Sequence, residues 1–131
     1  MKADLEKSKA QADETLSIHG RACPITILKR IPGVLVSSYS EISKCAGIER
    51  QKLLDMIGEH NYDAFTTARI ENGKTKYLVM YNKQMPCYVI RFALARELGH
   101  IMLGHDGSRP EDVRNEEAEC FAEHLLEVLD Q

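Results

Sequence analysis

"ALARELGHIMLGH", residues 93–105, is the stretch whose reading decides how the rest of the chain is understood. Apolar residues recur in it at helical spacing, which predicts the second half of a long helix running from Pro86 to Gly104. Positions 96 and 100 lie one turn apart and therefore share a face. Two imidazoles at such positions, with a glutamate directly after the first, make the His-Glu-x-x-His pattern that holds Zn²⁺ and activates a bound water. Here the glutamate is Glu97 and the second imidazole is His100, but Arg96 stands at the first position. Taken alone, Glu-x-x-His also fits an ordinary helix.

The neighbouring text sets this helix in an α+β domain. "YDAFTTARI", "ENGK" and "TKYLVMYN" (62–82) read as a β-hairpin, because Asn72 and Gly73 both tolerate the positive φ of a type I′ turn. "VLVSSYS" (34–40), rich in β-branched residues, reads as a further strand. Ahead of it, residues 2–18 read as a polar helix ending near Gly20, and "CPITILKRIPG" as a short helix with Pro24 in its first turn. After the motif helix a polar loop, "HDGSRP", leads into a last helix, "EDVRNEEAECFAEHLLEVLD". The expected architecture is a small antiparallel sheet, made of the hairpin and one more strand, packed with the motif helix and the C-terminal helix.

One domain spans residues 1–131, with an N-terminal polar helix in 1–20 and the core in 21–131. Hydrophobic residues at 44% and charged residues at 28% fit a globular chain rather than a disordered one. A formal net charge of −3 supplies no electrostatic drive toward nucleic acid or an anionic membrane. No apolar run has the length of a membrane span, and the polar start does not resemble a signal peptide. Cys23, Cys45, Cys87 and Cys120 form no C-x-x-C pair, and are expected to be buried, reduced thiols in a cytoplasmic protein.

"SEISKCAGIERQKLLDM" (40–56) has the outline of a helix-turn-helix, with Gly47 at the turn. Its second helix would present Glu49, Arg50, Gln51 and Lys52, a mixed-sign set with little affinity for phosphate. A DNA-binding regulator is the alternative this stretch keeps open. The structural expectation is that Ile42, Ile48, Leu53, Leu54 and Ile57 pack into the domain.

From Pro32 to Leu126 the chain resembles the ImmA/IrrE family of zinc peptidases. "YSEISKCAGI", "DAFTTARIENGKTKYLVMYNKQMP", "IRFALARELGHIMLGHD" and "EEAECFAEHLL" are similar, in order, to that family's segment ahead of the sheet, its hairpin, its active-site helix and its closing helix. The resemblance implies a zincin-like fold and zinc-dependent cleavage of helix-turn-helix repressors of mobile elements or stress regulons. It implies Glu97 as general base, His100 as a zinc ligand, and substrate laid along an edge strand of the hairpin.

Two departures bear on that activity. A guanidinium has no lone pair to offer and stays charged, so Arg96 repels Zn²⁺ rather than binding it. Aligning Ala118 and Phe121 with the closing motif puts Asn115 where the resemblance implies a glutamate ligand, with Glu116 and Glu117 close enough to replace it. The expectation is therefore a catalytically impaired member with zinc absent or weakly held, still able to bind a protein partner. Arg96 is expected to pair with Glu116, Glu117 or Glu119 across the gap that zinc would otherwise bridge. The alternative is an active protease with rearranged ligands: His100, His105 and a glutamate of the last helix. His105, five residues past His100, is expected to face another side of the helix.

Overall fold

The computed structural model describes residues 1–58 and 63–131. In chain order the elements are α1 (Leu5–His19), α2 (Pro24–Arg30), β1 (Val34–Ser38), α3 (Tyr39–Ala46), α4 (Arg50–Ile57), β2 (Ala64–Glu71), β3 (Lys74–Tyr81), α5 (Cys87–Met102) and α6 (Glu111–Leu129). Local chemistry accounts for many of the boundaries. The Asp4 carboxylate caps α1 by accepting from the Lys7 N–H, and Pro24 opens α2 where no N–H is needed. The Ser38 hydroxyl caps α3, so the expected strand at 34–40 stops at Ser38 and the chain turns into a helix. Asn72 and Gly73 adopt φ of 54° and 75°, as a type I′ hairpin turn requires.

The three strands lie in the order β1-β3-β2. β2 pairs antiparallel with β3, Ala64 facing Tyr81 and Glu71 facing Lys74. β1 pairs parallel with β3, from Val34 opposite Tyr77 to Ser38 opposite Tyr81. The sheet is thus mixed, not the antiparallel sheet expected. The chain leaves β1 through two helices, enters β2 in the opposite direction, and the hairpin returns β3 in the direction of β1. A β1 docked on β3 must then be parallel to it.

Strand alternation divides the core in two. Val79 faces the larger cluster, where Val34, Val36 and Tyr81 meet Leu94, Leu98, Phe121 and Leu125 of α5 and α6. Leu78 and Met80 face the other way, toward Tyr39, Leu53 and Leu54 of the α3–α4 pair, with Ile42, Ile48 and Ile57 packed around them. The helix-turn-helix-like stretch therefore covers one face of the sheet, as its apolar spacing predicts. Arg50, at the start of α4, turns inward and donates from Nη2 to Asn82 Oδ1 at 2.9 Å. The N-terminal helix is part of the core too: Ala12 and Leu16 of α1 belong to the larger cluster.

The cysteines do not follow expectation. Cys23, Cys45 and Cys87 are exposed, Cys120 is half-buried, and all four are free. Position overrides residue type here. Cys23 is the residue before α2 and Cys87 the first of α5, where the chain enters a helix from the surface.

α5 and α6 approach closely at Gly99. A Cβ built there would lie 2.9 Å from Phe121 Cδ1 and 3.2 Å from the Ala118 carbonyl oxygen. Phe121 is fully buried and Ala118 belongs to the helix backbone, so neither can move aside freely. Gly99→Ala is expected to destabilise the fold by about 1–3 kcal/mol despite alanine's better helix propensity. Urea unfolding checks this, and a variant as stable as the parent would contradict the close approach.

Candidate active site

A cleft of about 280 Å³ opens between β2 and the two long helices. Ala64, Thr66 and Ala68, alternate residues of β2, line one wall. Arg96, Glu97 and His100 of α5 line a second, and Glu111, Arg114, Asn115 and Glu119 of α6 a third. Those α6 positions recur at three and four residues, the spacing of one helix face. Arg96, Glu97, His100 and Asn115, singled out in the sequence, are thus brought together. Glu116 is exposed on α6 and is not among the residues lining the cleft.

Glu97 is 6% exposed. The Thr66 hydroxyl donates to its Oε1 at 2.9 Å, and Arg96 Nε lies 3.6 Å from Oε2, an ion pair too long for a hydrogen bond. Burial pushes the Glu97 carboxyl above the usual range, and Arg96 and Thr66 act in the opposite direction. The expected pairing of Arg96 with α6 is replaced by this contact within its own helix. Glu117, the buried carboxylate of α6, is committed elsewhere, Glu116 lies outside the cleft, and Glu119 lines the cleft with Arg96 without an ion pair to it among the described residues.

Glu117, 3% exposed, is met by three residues from two segments, the chain ahead of α1 and the loop between α5 and α6. The Asp4 backbone N–H and Arg109 Nη2 each donate to Oε2 at 2.7 Å, and His105 Nε2 lies 3.1 Å from Oε1. Burial alone would raise the Glu117 carboxyl, but the Asp4 N–H, His105 and Arg109 hold it below its ordinary value.

His105 reaches Glu117 because the chain folds back where α5 ends. Gly104 takes φ of 63°, its N–H bonds the Ile101 carbonyl, and the His105 N–H bonds the His100 carbonyl. These are the two hydrogen bonds of a Schellman motif, in which a left-handed glycine terminates a helix. His105 is therefore not on another side of a continuing helix. It is carried back over His100, and the two Nδ1 atoms come within 2.8 Å.

One assignment of the protons satisfies both of these contacts. Burial lowers the His105 pKa against the opposing pull of Glu117, so the ring is neutral at neutral pH. Its single N–H must face the ionised Glu117, which leaves Nδ1 as an acceptor. The 2.8 Å contact then requires the hydrogen on His100 Nδ1, and His100 Nε2 is left with a lone pair. No described residue donates to that atom.

Zinc does not fit these residues. Arg96 has no lone pair, and Asn115 offers an amide in place of a carboxylate. The rearranged set does no better, because His100 and His105 aim nitrogens at each other and His105 bonds Glu117, so the three do not converge on a common point. Among the described residues no group of three or more His, Cys, Asp or Glu is disposed to hold a metal ion.

Several participants carried no signal in the sequence. Thr66 lies 31 residues from Glu97, and the Asp4 N–H 113 residues from Glu117. Arg114 could have been found from its place one residue before Asn115 on the face that includes 111 and 115. Among the described residues no helix is long and apolar enough to cross a membrane. In comparisons with known proteins, the chain matches no family model, no curated protein and no solved structure.

Burial, with the nearby His105, Arg96 and Arg114, lowers the His100 pKa from its ordinary 6.5 to about 4. Between those values the unfolded chain binds a proton that the folded chain does not, so stability is full above pH 6.5 and falls as pH drops toward 4. The loss assignable to His100 is expected to be on the order of 2–3 kcal/mol. Glu97, with its raised pKa, gains in the same window, so the comparison is parent against His100→Gln. Denaturant midpoints measured across that range are expected to show a shallower acid limb in the variant, and parallel limbs would contradict the assignment.

Proposed function

We propose that this chain is a zincin-like, cytoplasmic domain related to the ImmA/IrrE peptidases, which binds an extended segment of a protein partner but cleaves it poorly or not at all. The partner class that this reading carries is a helix-turn-helix repressor. The observation that carries it is the cleft itself. An edge strand, a buried glutamate at the motif's second position and a histidine one turn after the first all line it, with Arg96 standing where the first imidazole would be.

Binding and cleavage place different demands on such a cleft. An extended peptide added to an edge strand is held by main-chain hydrogen bonds, and those need only an accessible edge. β2 is a terminal strand of the sheet, and the cleft runs alongside it. Hydrolysis needs an activated water and an electrophile on the scissile carbonyl. In the related peptidases zinc supplies both. In this chain the donor set is broken at Arg96 and at Asn115, so Glu97 lacks the polarised water it would deprotonate.

The chain also has a substitute for the metal's structural role. In a zinc-bridged site the ion ties the motif helix to the closing helix. Here His105, Arg109 and the Asp4 N–H converge on Glu117, joining the end of α5, the following loop and the N-terminus to α6 without an ion.

The purified protein is expected to hold zinc well below one ion per chain. Arg96→His is expected to gain zinc affinity, because it places two imidazoles one turn apart. Repressor cleavage is expected only when Asn115→Glu is added, restoring two imidazoles and a carboxylate with one position left for water. Elemental analysis and a chelator-controlled cleavage assay read the two outcomes. One tightly held zinc per parent chain, or chelator-sensitive cleavage by the parent, would overturn this reading.

A further inference from the structure

A strand laid against β2 forms its ladder with alternate residues and turns the N–H and C=O groups of the intervening residues away from β2. Backbone groups enclosed in a cleft need partners as much as any others. On a free edge, water supplies them. In this cleft α5 lines a wall beside β2, and it contributes Arg96 and, one turn on, His100.

These two side chains are complementary in hydrogen-bonding character. Arg96 is a donor only, 23% exposed at its side chain; its contact with Glu97 runs through Nε at 3.6 Å, and a guanidinium carries further N–H groups that can serve a carbonyl. In the tautomer assigned above, with the hydrogen on Nδ1 toward His105, His100 is an acceptor at Nε2. One donor and one acceptor are what the edge of a further strand would offer.

We infer that Arg96 and His100 together act as a surrogate strand edge: Arg96 donates to a carbonyl and His100 Nε2 accepts from an amide N–H of one extended peptide held on β2. Recognition of this kind reads the peptide backbone rather than its side chains. His105 and Glu117 are positioning residues, since they act by setting which nitrogen of His100 carries the hydrogen. The inference rests on the edge-docking reading above, and it assigns Arg96 a binding role in place of the ligand role that its side chain cannot fill.

The test uses the full chain and, as probe, a terminally blocked peptide of alternating threonine and valine. Nitrogen NMR at neutral pH is expected to find the His100 hydrogen on Nδ1 in the free protein. In His105→Leu a mixture of tautomers is expected. On adding the peptide, the Nε2 resonance is expected to move toward the protonated range together with the β2 amide signals. His100→Leu is expected to weaken peptide binding about tenfold, the loss of one well-made hydrogen bond. A His100 hydrogen found on Nε2 overturns the inference, and that measurement needs no variant to fold. Peptide that shifts the β2 amides but leaves Nε2 unmoved also overturns it, while leaving edge docking intact. If the β2 amides do not respond at all, edge docking fails and this inference fails with it.

Discussion

The close contact of α5 with α6 is the constraint on which the rest of the molecule depends. At Gly99 the aromatic ring of Phe121 lies where a Cβ would be, and the Ala118 carbonyl is beside it. A glycine at that point lets two helix backbones approach closely enough for residues either side of it to share one small space. Glu97 and His100 flank Gly99 on α5, and Asn115 and Glu119 lie a turn or less from Ala118 on α6. The packing of the core and the assembly of the cleft are thus the same contact seen from two sides. Phe121 contributes about 1.5–3 kcal/mol through its burial, and it also sets the separation across which the cleft residues interact.

Buried charge explains the remainder of the site. An unpaired carboxylate as enclosed as Glu117 would cost several kcal/mol, and the fold meets that cost with three donors, one ahead of α1 and two in the α5–α6 loop. Because those donors saturate Glu117, Arg96 finds no partner there and rests against Glu97 instead. The cation is 23% exposed at its side chain and lines the cleft. His100 responds to the same crowding: burial and two neighbouring guanidinium groups keep it neutral. The acidic and basic groups are held in different protonation regimes by position, with no need for an ion between them.

Much of this was legible in the sequence wherever one local rule decided the outcome. The hairpin follows from Asn72-Gly73, and the motif helix from its apolar period. The inward face of 40–57 follows from Ile42, Ile48, Leu53, Leu54 and Ile57. What escaped was nonlocal or terminal. The parallel pairing of β1 with β3 depends on which strand is neighbour to which, and hydropathy does not encode that. His105 was misplaced because a helix taken to Gly104 sends it to another face, whereas the left-handed glycine brings it back over His100. Cys23 and Cys87 were misjudged because a burial preference for cysteine is weaker than its position at the start of a helix. Glu117 could be named from the sequence as a possible ligand. Its real partners, Asp4 and Arg109, belong to segments that no spacing rule connects.

On the proposed relation to the zinc peptidases, Arg96 in place of the first imidazole would remove two things, the catalytic electrophile and the clamp between the helices. Zinc coordination can supply on the order of 10–16 kcal/mol of folding free energy in small peptides, so a chain without it needs another source of cohesion. Here apolar burial does most of that work, since Leu94, Leu98, Phe121, Ala122 and Leu125 are enclosed whatever occupies the cleft. The Glu117 contacts then fix the one polar group that the helix seam cannot leave bare. With cohesion supplied in this way, position 96 is released from any duty to a metal. A guanidinium is tolerated there because its charge reaches both Glu97 and the open cleft. On that proposal the electrophile is the function left without a substitute, while docking at the edge of β2 needs only backbone groups.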